Sequence, residues 1–175
     1  MNQKSVIRKL LLAAPAACAV LVMMPAQASP PTTKTATFNV TLSVISDCTI
    51  SATALNFGTA TSALNTTPIN HNGSLSVTCT TGTGYTLSLD AGSISGSTLA
   101  SRVMAGVTPA NTVSYQLYTD SPGGTVWGDG TNSTSTVPGT GNGNAQTIVV
   151  YGQVPAQTIP PVDSYSSTET ATISF

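Results

Sequence analysis

Residues 36–45 read ATFNVTLSVI and carry the clearest secondary-structure signal in this 175-residue chain. Apolar side chains stand at every second position from Ala36 to Val44, and Thr, Asn and Ser stand between them. This two-residue period is typical of a β-strand with one buried face and one solvent-facing side. The segment therefore predicts an amphipathic strand.

The rest of the chain repeats the same pattern in shorter runs. Alternating apolar and polar side chains return in residues 74–80, 85–90, 113–119, 147–154 and 168–175, and clusters of Gly, Pro, Asn and Asp separate these runs. After residue 28, no window places apolar residues at the three- and four-residue spacing of a helix with Glu, Lys or Arg on the opposite side. Seven to nine short strands in one domain are predicted, which indicates an all-β sandwich.

The connections between these runs are predicted as loops and turns. Residues 62–70 and 131–144 are rich in small polar residues, and the Asn72-Gly73 pair is a typical turn signal. His71, which precedes this pair, is expected in a surface loop.

The first 28 residues have the features of a secretory signal peptide. Basic residues precede an apolar run, and an Ala-Gln-Ala sequence ends at Ala28. Lipid attachment at Cys18 is less favoured because Pro15-Ala16-Ala17 precedes it where an apolar Leu is expected. A retained membrane anchor is less favoured because Pro15 and Pro25 bracket a run that is short for spanning. We expect residues 1–28 to be removed during export.

The charge of the remaining chain excludes one class of partner. After residue 28, Lys34 and Arg102 are the only cationic side chains against six carboxylates, which gives a net charge of −4. Two separated cations do not form the basic surface that follows a phosphate backbone. No later apolar run approaches the length of a membrane span. We therefore predict an exported protein that binds no nucleic acid and does not span a membrane.

Cys48 and Cys79 are the only cysteines after residue 28. In an exported chain such a pair is expected to form a disulfide. The bridge closes a loop of about 31 residues, for which chain-entropy arguments give a stabilisation of about 3–4 kcal/mol. We predict a structural disulfide.

Residues that carry enzyme chemistry are few and scattered. His71 is the only imidazole in the chain, and the six acids each lie near a predicted turn. Asp129 stands at the start of a loop that could bind calcium, but no second acid follows at a metal-ligand spacing. We therefore predict no enzyme, no catalytic residues, no metal site and no cofactor.

A set of short segments, in one order along the exported chain, points to a known family. They are FNVTL (38–42), CTI (48–50), LNFG (55–58), SVTCT (76–80), YTLSLD (85–90), YQLYTD (115–120), VWGDG (126–130), VYG (150–152) and DSYS (163–166). Together they resemble the spore coat U domain family, which includes the pilins of archaic, Csu-type chaperone–usher fimbriae. One departure is Asp163, which stands where the family has a Gly before the Ser-Tyr pair.

The resemblance implies an incomplete immunoglobulin-like β-sandwich that is completed by donor-strand complementation. In such pilins a periplasmic chaperone first fills the groove of the missing strand, and at an outer-membrane usher the N-terminal segment of the next subunit replaces it. The implied partners are identical or related pilin subunits, a periplasmic chaperone and an outer-membrane usher. The implied function is that of a structural subunit of a cell-surface fimbria, either major or minor, that supports adhesion and biofilm formation.

Specific residues follow from this resemblance. Residues 29–47 are expected to form an N-terminal leader and donor strand, and residues 48–175 the pilin domain. The donor side chains would be those of the apolar face, namely Phe38, Val40, Leu42 and Val44. The strand that ends with Ala171, Ile173 and Phe175 would border the groove that chaperone and donor fill in turn.

Two other functions remain open from the sequence. A secreted ligand- or carbohydrate-binding module could use Trp127, Tyr115 or Tyr118 as an aromatic platform, although Trp127 is also expected to pack over the end of the sandwich. This module would be a stable monomer with saturable binding. The family name suggests the second alternative, a protective spore or cell coat protein.

Overall fold

The computed structural model describes residues 27–175. The chain divides into two units, Met1–Thr41 and Leu42–Phe175. Residues 27–41, the described part of the first unit, are exposed and lie in no helix or strand, and the same holds for residues 42–47 of the second unit. All but the last two residues of the predicted signal peptide lie outside the described residues.

The second unit is built from short antiparallel strands. The strands that the structure describes are β1 (Cys48–Thr53), β2 (Ile69–Cys79), β3 (Gly84–Leu89), β4 (Arg102–Gly106), β5 (Thr112–Tyr118), β6 (Val137–Thr140), β7 (Gln146–Val154), β8 (Tyr165–Ser166) and β9 (Ala171–Ser174). A single turn of 3-10 helix, Ser62–Asn65, precedes β2 in the chain.

The strands form two sheets with one shared core. The larger sheet has six strands in the order β1-β2-β7-β5-β4-β8, and the smaller has three in the order β6-β3-β9. Every pairing between these strands is antiparallel. The all-β fold predicted from alternation is confirmed.

Alternation along the strands explains the core. On β2, Leu75, Val77 and Cys79 are buried while the residues between them are half-buried. On β3, which belongs to the other sheet, Tyr85, Leu87 and Leu89 are buried in the same alternating pattern. These inner faces, with Val113, Tyr115 and Leu117 of β5, belong to one hydrophobic cluster. Burial of such side chains contributes about 1.5–3 kcal/mol each.

Three local predictions were wrong. His71 and the Asn72-Gly73 pair are not in a loop, because they lie within β2, where His71 is exposed and stands opposite Gly152. Residues 137–140 of the predicted loop form β6. Long-range pairing with β7 and β3 overrides the local turn signals here.

The first alternating segment has no strand partner among the described residues. The sequence predicts a strand over residues 36–45, but the structure assigns none there. A strand is defined by hydrogen bonds to a neighbour, and an isolated extended segment makes none. The amphipathic pattern is therefore present without the ladder that would satisfy it.

A disulfide joins the first two strands. Cys48 and Cys79 are bonded, their Cα atoms are 4.1 Å apart, and the two residues are register partners in the β1–β2 ladder. The link fixes the beginning of β1 to the end of β2. Among the described residues, we find no helix with the length and hydrophobicity that crossing a membrane requires.

Candidate functional site

An open groove lies beside the edges of β1 and β9. Its cavity has a volume of about 360 Å3, and both sheets contribute to its lining. The apolar lining includes Leu75, Leu117 and Val150 from the larger sheet and Leu89 and Ala171 from the smaller one. Because all of these residues belong to the core or pack against it, the groove opens directly onto the hydrophobic interior.

Both strands beside the groove have one unpaired edge. Within residues 27–175, β1 pairs with β2 alone and β9 pairs with β3 alone. The backbone N–H and C=O groups of an unpaired edge are a template for a further strand. The arrangement therefore combines an apolar cavity with two rows of unused backbone hydrogen-bonding groups.

The cavity lies at the end of the groove where the walls carry the small side chains of Ala52 and Ala171, and we call this the wide end. On β1, Cys48 and Ile50 are half-buried, whereas Ala52, which has the same orientation, is exposed. Of the described residues, Ala52 and Ala171 line the cavity but Ile50 does not. This end has room for a large apolar side chain from elsewhere.

A buried arginine lies behind this wide end. Arg102 of β4 has an exposed fraction of 0%, and its Nε donates to Glu169 Oε2 over 3.1 Å. Its remaining donors reach the carbonyl oxygens of Asp90, Leu99 and Trp127 and the side-chain oxygen of Gln116. A buried charge is tolerated only with such compensation. The guanidinium is therefore fully engaged.

Glu169 connects this arginine to the groove. Glu169 lines the cavity, and its Oε1 accepts hydrogen bonds from the Tyr115 hydroxyl and from Ser167 Oγ. Burial, together with the hydrogen bond to Glu169, raises the pKa of the Tyr115 hydroxyl. Tyr115 therefore stays protonated and acts as a donor. The sequence reasoning placed the acids at turns and missed this polar cluster.

A sequence signal for the cluster exists. Glu169 continues the two-residue period of Ala171 and Ile173, and Arg102 has the same period as Met104, which packs against the core. A charged residue at an inward position of a strand pattern is rarely left unpaired. Two inward charges of opposite sign could therefore have been paired from the sequence.

The residues predicted to donate a strand are exposed in the structure. Phe38 has an exposed fraction of 85%, Leu42 of 89%, and Val40 and Val44 are also largely exposed. Large apolar side chains are seldom exposed in a contiguous run unless they serve an interaction. Their exposure is compatible with the predicted role.

The residues predicted to border the groove lie on or directly after β9. Ala171 and Ile173 are half-buried on β9 and pack against the core, while Phe175 follows the strand with an exposed fraction of 57%. Strand β9 is an edge strand of the smaller sheet. Ala171 lines the cavity itself.

The aromatic platform of the binding-module alternative is not exposed. Trp127 has an exposed fraction of 0%, and its indole N–H donates to the Leu87 carbonyl oxygen over 3.3 Å. Tyr115 and Tyr118 are buried as well. Since a ligand platform needs an accessible ring face, these three side chains do not form one.

Possible metal ligands are likewise not gathered. Within the part of the chain that the structure describes, no group of three or more His, Cys, Asp or Glu side chains converges. The Asp129 carboxylate accepts hydrogen bonds from the N–H and hydroxyl of Thr131 and acts as a turn residue. The groove is the feature that calls for a partner.

Comparison with known proteins places the chain in a family. Residues 34–172 match the model of the Spore Coat Protein U domain. The chain belongs to this family. The chain is similar to Protein U of Myxococcus xanthus, with 34% identity over 182 residues. The alignment covers 97% of this chain and 98% of that protein.

A solved structure supports the fold of this Spore Coat Protein U domain protein. The crystal structure of the CsuC–CsuE chaperone–tip adhesion subunit pre-assembly complex, from archaic chaperone–usher Csu pili of Acinetobacter baumannii, contains a similar chain with a TM-score of 0.55 and 21% identity. The similarity covers 75% of this chain but only 40% of that chain. It supports an immunoglobulin-like β-sandwich.

Proposed function

We propose that the protein is a structural pilin subunit that polymerises by donor-strand exchange. The groove between two unpaired strand edges carries the proposal, since it accepts one further extended segment. The occupant would be residues 36–45 of a second copy or of a related subunit. These residues are exposed, alternate in polarity and have no strand partner in the described chain.

The donor segment has the length and the chemistry to follow the edge of the groove. Residues 36–45 would span about 33 Å as a strand, at about 3.3 Å per residue. Ten residues are enough to pair along the whole of β1, which has six residues. Full burial of Phe38, Val40, Leu42 and Val44 would contribute about 6–12 kcal/mol in total. Hydrogen bonds to the edges of β1 and β9 would add to this.

This exchange produces a fibre. The donor segment and the groove are different surfaces of the same chain, so the contact is heterologous, and such contacts extend without limit when they do not close into a ring. The polymer would be a fimbria on the cell surface, where it would support adhesion and biofilm formation.

Before assembly the open groove needs a temporary partner. An exposed apolar groove with unpaired edges makes a free subunit prone to aggregation. We propose that a periplasmic chaperone fills it and that an outer-membrane usher exchanges the chaperone for the next subunit. The solved relative from the Csu pili is itself part of a chaperone–subunit complex. Residues 1–28 would be the export signal, residues 29–47 the leader and donor strand, and residues 48–175 the pilin domain.

A coat protein is the second candidate, because the matched family is described as Spore Coat Protein U. The same exchange of strands could link copies into a coat. Immuno-electron microscopy of the producing cells separates the two functions, since a pilin labels thin surface filaments and a coat protein labels the envelope of resting cells.

The donor role is tested with neighbouring substitutions on opposite faces of one segment. Leu42→Asp puts a charge on the apolar face, while Thr41→Asp puts the same charge on the polar face. In cells that make the fibre, we expect Leu42→Asp to abolish filaments seen by electron microscopy and to leave chaperone co-purification intact. Thr41→Asp should still give filaments. Equal filament yield from both variants would overturn the proposal.

A further inference from the structure

We infer that Arg102 is a positioning residue that holds the wide end of the groove open before a strand arrives. It acts through Glu169 and the residues around it, 167–170, which we name the lip. The inference rests on the proposed function, because it concerns how the groove receives its donor.

The salt bridge joins parts of the two sheets. Arg102 lies on β4 of the larger sheet, and Glu169 stands two residues before β9 of the smaller sheet. Three consecutive lip residues, Ser167, Thr168 and Glu169, line the cavity. The position of the lip relative to the larger sheet therefore sets the width of the groove at this end.

The lip has a second support that depends on the same arginine. The Asp90 N–H donates to the Thr170 carbonyl oxygen over 3.1 Å, and the Thr170 N–H donates to Asp90 Oδ1 over 2.9 Å. The carbonyl oxygen of Asp90 in turn accepts from Nε and Nη2 of Arg102. One guanidinium thus binds both the lip and one of the residues to which the lip is attached. Ser93, which exchanges two hydrogen bonds with Thr168, is another such residue.

Removal of the arginine would weaken the contacts that hold the lip in place. The Glu169 side chain keeps 19% of its surface exposed, and a carboxylate without its cation gains by turning towards water. The lip would then sample closed or displaced positions. Only the fraction of molecules with an open groove can accept a strand, so the apparent affinity falls by that fraction.

Preorganisation predicts a specific kinetic signature. When a strand must wait for the open form, the association rate falls with the population of that form. Once the strand is bound, its hydrogen bonds to β9 hold the neighbouring lip, so the dissociation rate changes little. A variant that only destabilises the whole fold is not expected to lower the association rate while leaving the dissociation rate unchanged.

The experiment uses the full exported chain with Leu42→Asp, which prevents donation, and a synthetic peptide of residues 34–46 with the natural sequence. Association and dissociation rates are measured for this parent, for Arg102→Met and for the milder Glu169→Gln. Leu64→Ala is the matched control, because Leu64 is buried in the core but does not line the groove. Hydrogen exchange of residues 167–170 is measured on the same proteins without peptide.

We expect Arg102→Met to lower the association rate about tenfold or more, with dissociation within about threefold of the parent. Glu169→Gln should give a smaller change in the same direction, and both variants should speed exchange in the lip. Leu64→Ala should leave lip exchange and association near the parent values. Parent-like lip exchange in Arg102→Met and Glu169→Gln, or unchanged association, overturns the inference. A parent that binds no peptide overturns the proposed function instead, and lip exchange still decides the role of Arg102.

Discussion

Leu55 lies directly over Gly152. A Cβ atom on Gly152 would lie 2.5 Å from Leu55 Cδ1 and 3.0 Å from Phe57 Cζ, so the two side chains of the segment after β1 occupy the space above β7. Leu55 also lines the groove. The glycine thus sets how deeply the segment packs and, through Leu55, the depth of the groove.

Gly152→Ala is therefore expected to destabilise the fold. The added methyl group must displace Leu55, and overpacking of this kind costs about 1–3 kcal/mol. Gly84→Ala is the control, because a Cβ on Gly84 of the strand β3 meets nothing within 4 Å, and surface changes of this kind stay within about 0.5 kcal/mol. Urea unfolding of both variants, made in the Leu42→Asp chain to prevent polymerisation, measures the difference. Equal midpoints would contradict this packing account.

Filling the groove from within should block strand acceptance. Ala171 lines the cavity, whereas its neighbour Thr172 is exposed on the opposite face of β9. We expect Ala171→Trp to reduce the affinity for a peptide of residues 34–46 by about a hundredfold or more, since the indole occupies the space of the donor side chain. Thr172→Trp adds the same side chain outside the groove and should bind the peptide as the parent does. Titration by fluorescence anisotropy checks both.

Loss of the disulfide is expected to lower the free energy of unfolding by about 3–4 kcal/mol, because the bond closes a sequence separation of 31 residues. The Cys48→Ala/Cys79→Ala double variant removes it. Reductant should lower the urea midpoint of the parent to that of the double variant and should leave the double variant unchanged. A reductant effect on the double variant would show that the loss has another origin.

Asp163 is expected to make stability depend on pH at the acid end. Its carboxylate accepts hydrogen bonds from the Thr108 N–H over 2.8 Å, from Asn111 Nδ2 and from the Ser164 N–H. The bond from the Thr108 N–H is the main cause that lowers the pKa of Asp163 from 3.8 to about 2. Because the folded-state pKa is the lower one, the stabilisation is present above about pH 4 and is lost as the pH falls towards 2. Asp163→Asn should reduce the pH dependence of the urea unfolding midpoint over this range. If the midpoint of the variant changes with pH as steeply as that of the parent, Asp163 makes no such contribution.

The alternation of side chains was enough to predict much of the fold. The runs that hold Leu75, Leu87 and Leu117 fall on the strands β2, β3 and β5, because burial of one face imposes a two-residue period. Strand β6 could not be found in this way. It contains Pro138 and Gly139, and such residues are tolerated there because β6 is an edge strand that pairs with β3 alone among the described strands.

The groove depends on which strands pair with each other, and the alternation of side chains does not reveal this pairing. The sequence marks Ala171 and Ile173 as one face of a strand, but it does not say that the other edge of that strand is unpaired. Segment-by-segment reasoning also missed the pairing of Arg102 with Glu169, because the two partners are 67 positions apart in the chain. Only their shared inward orientation linked them.

The bond between Cys48 and Cys79 also has a mechanical consequence. In the proposed fibre, tension pulls each subunit through its own residues 36–47, which lead directly into Cys48. The covalent link passes that load to the end of β2, whose neighbours are β1 and β7. Tension on the filament would therefore load β2, inside the larger sheet, instead of peeling the edge strand β1 away from it.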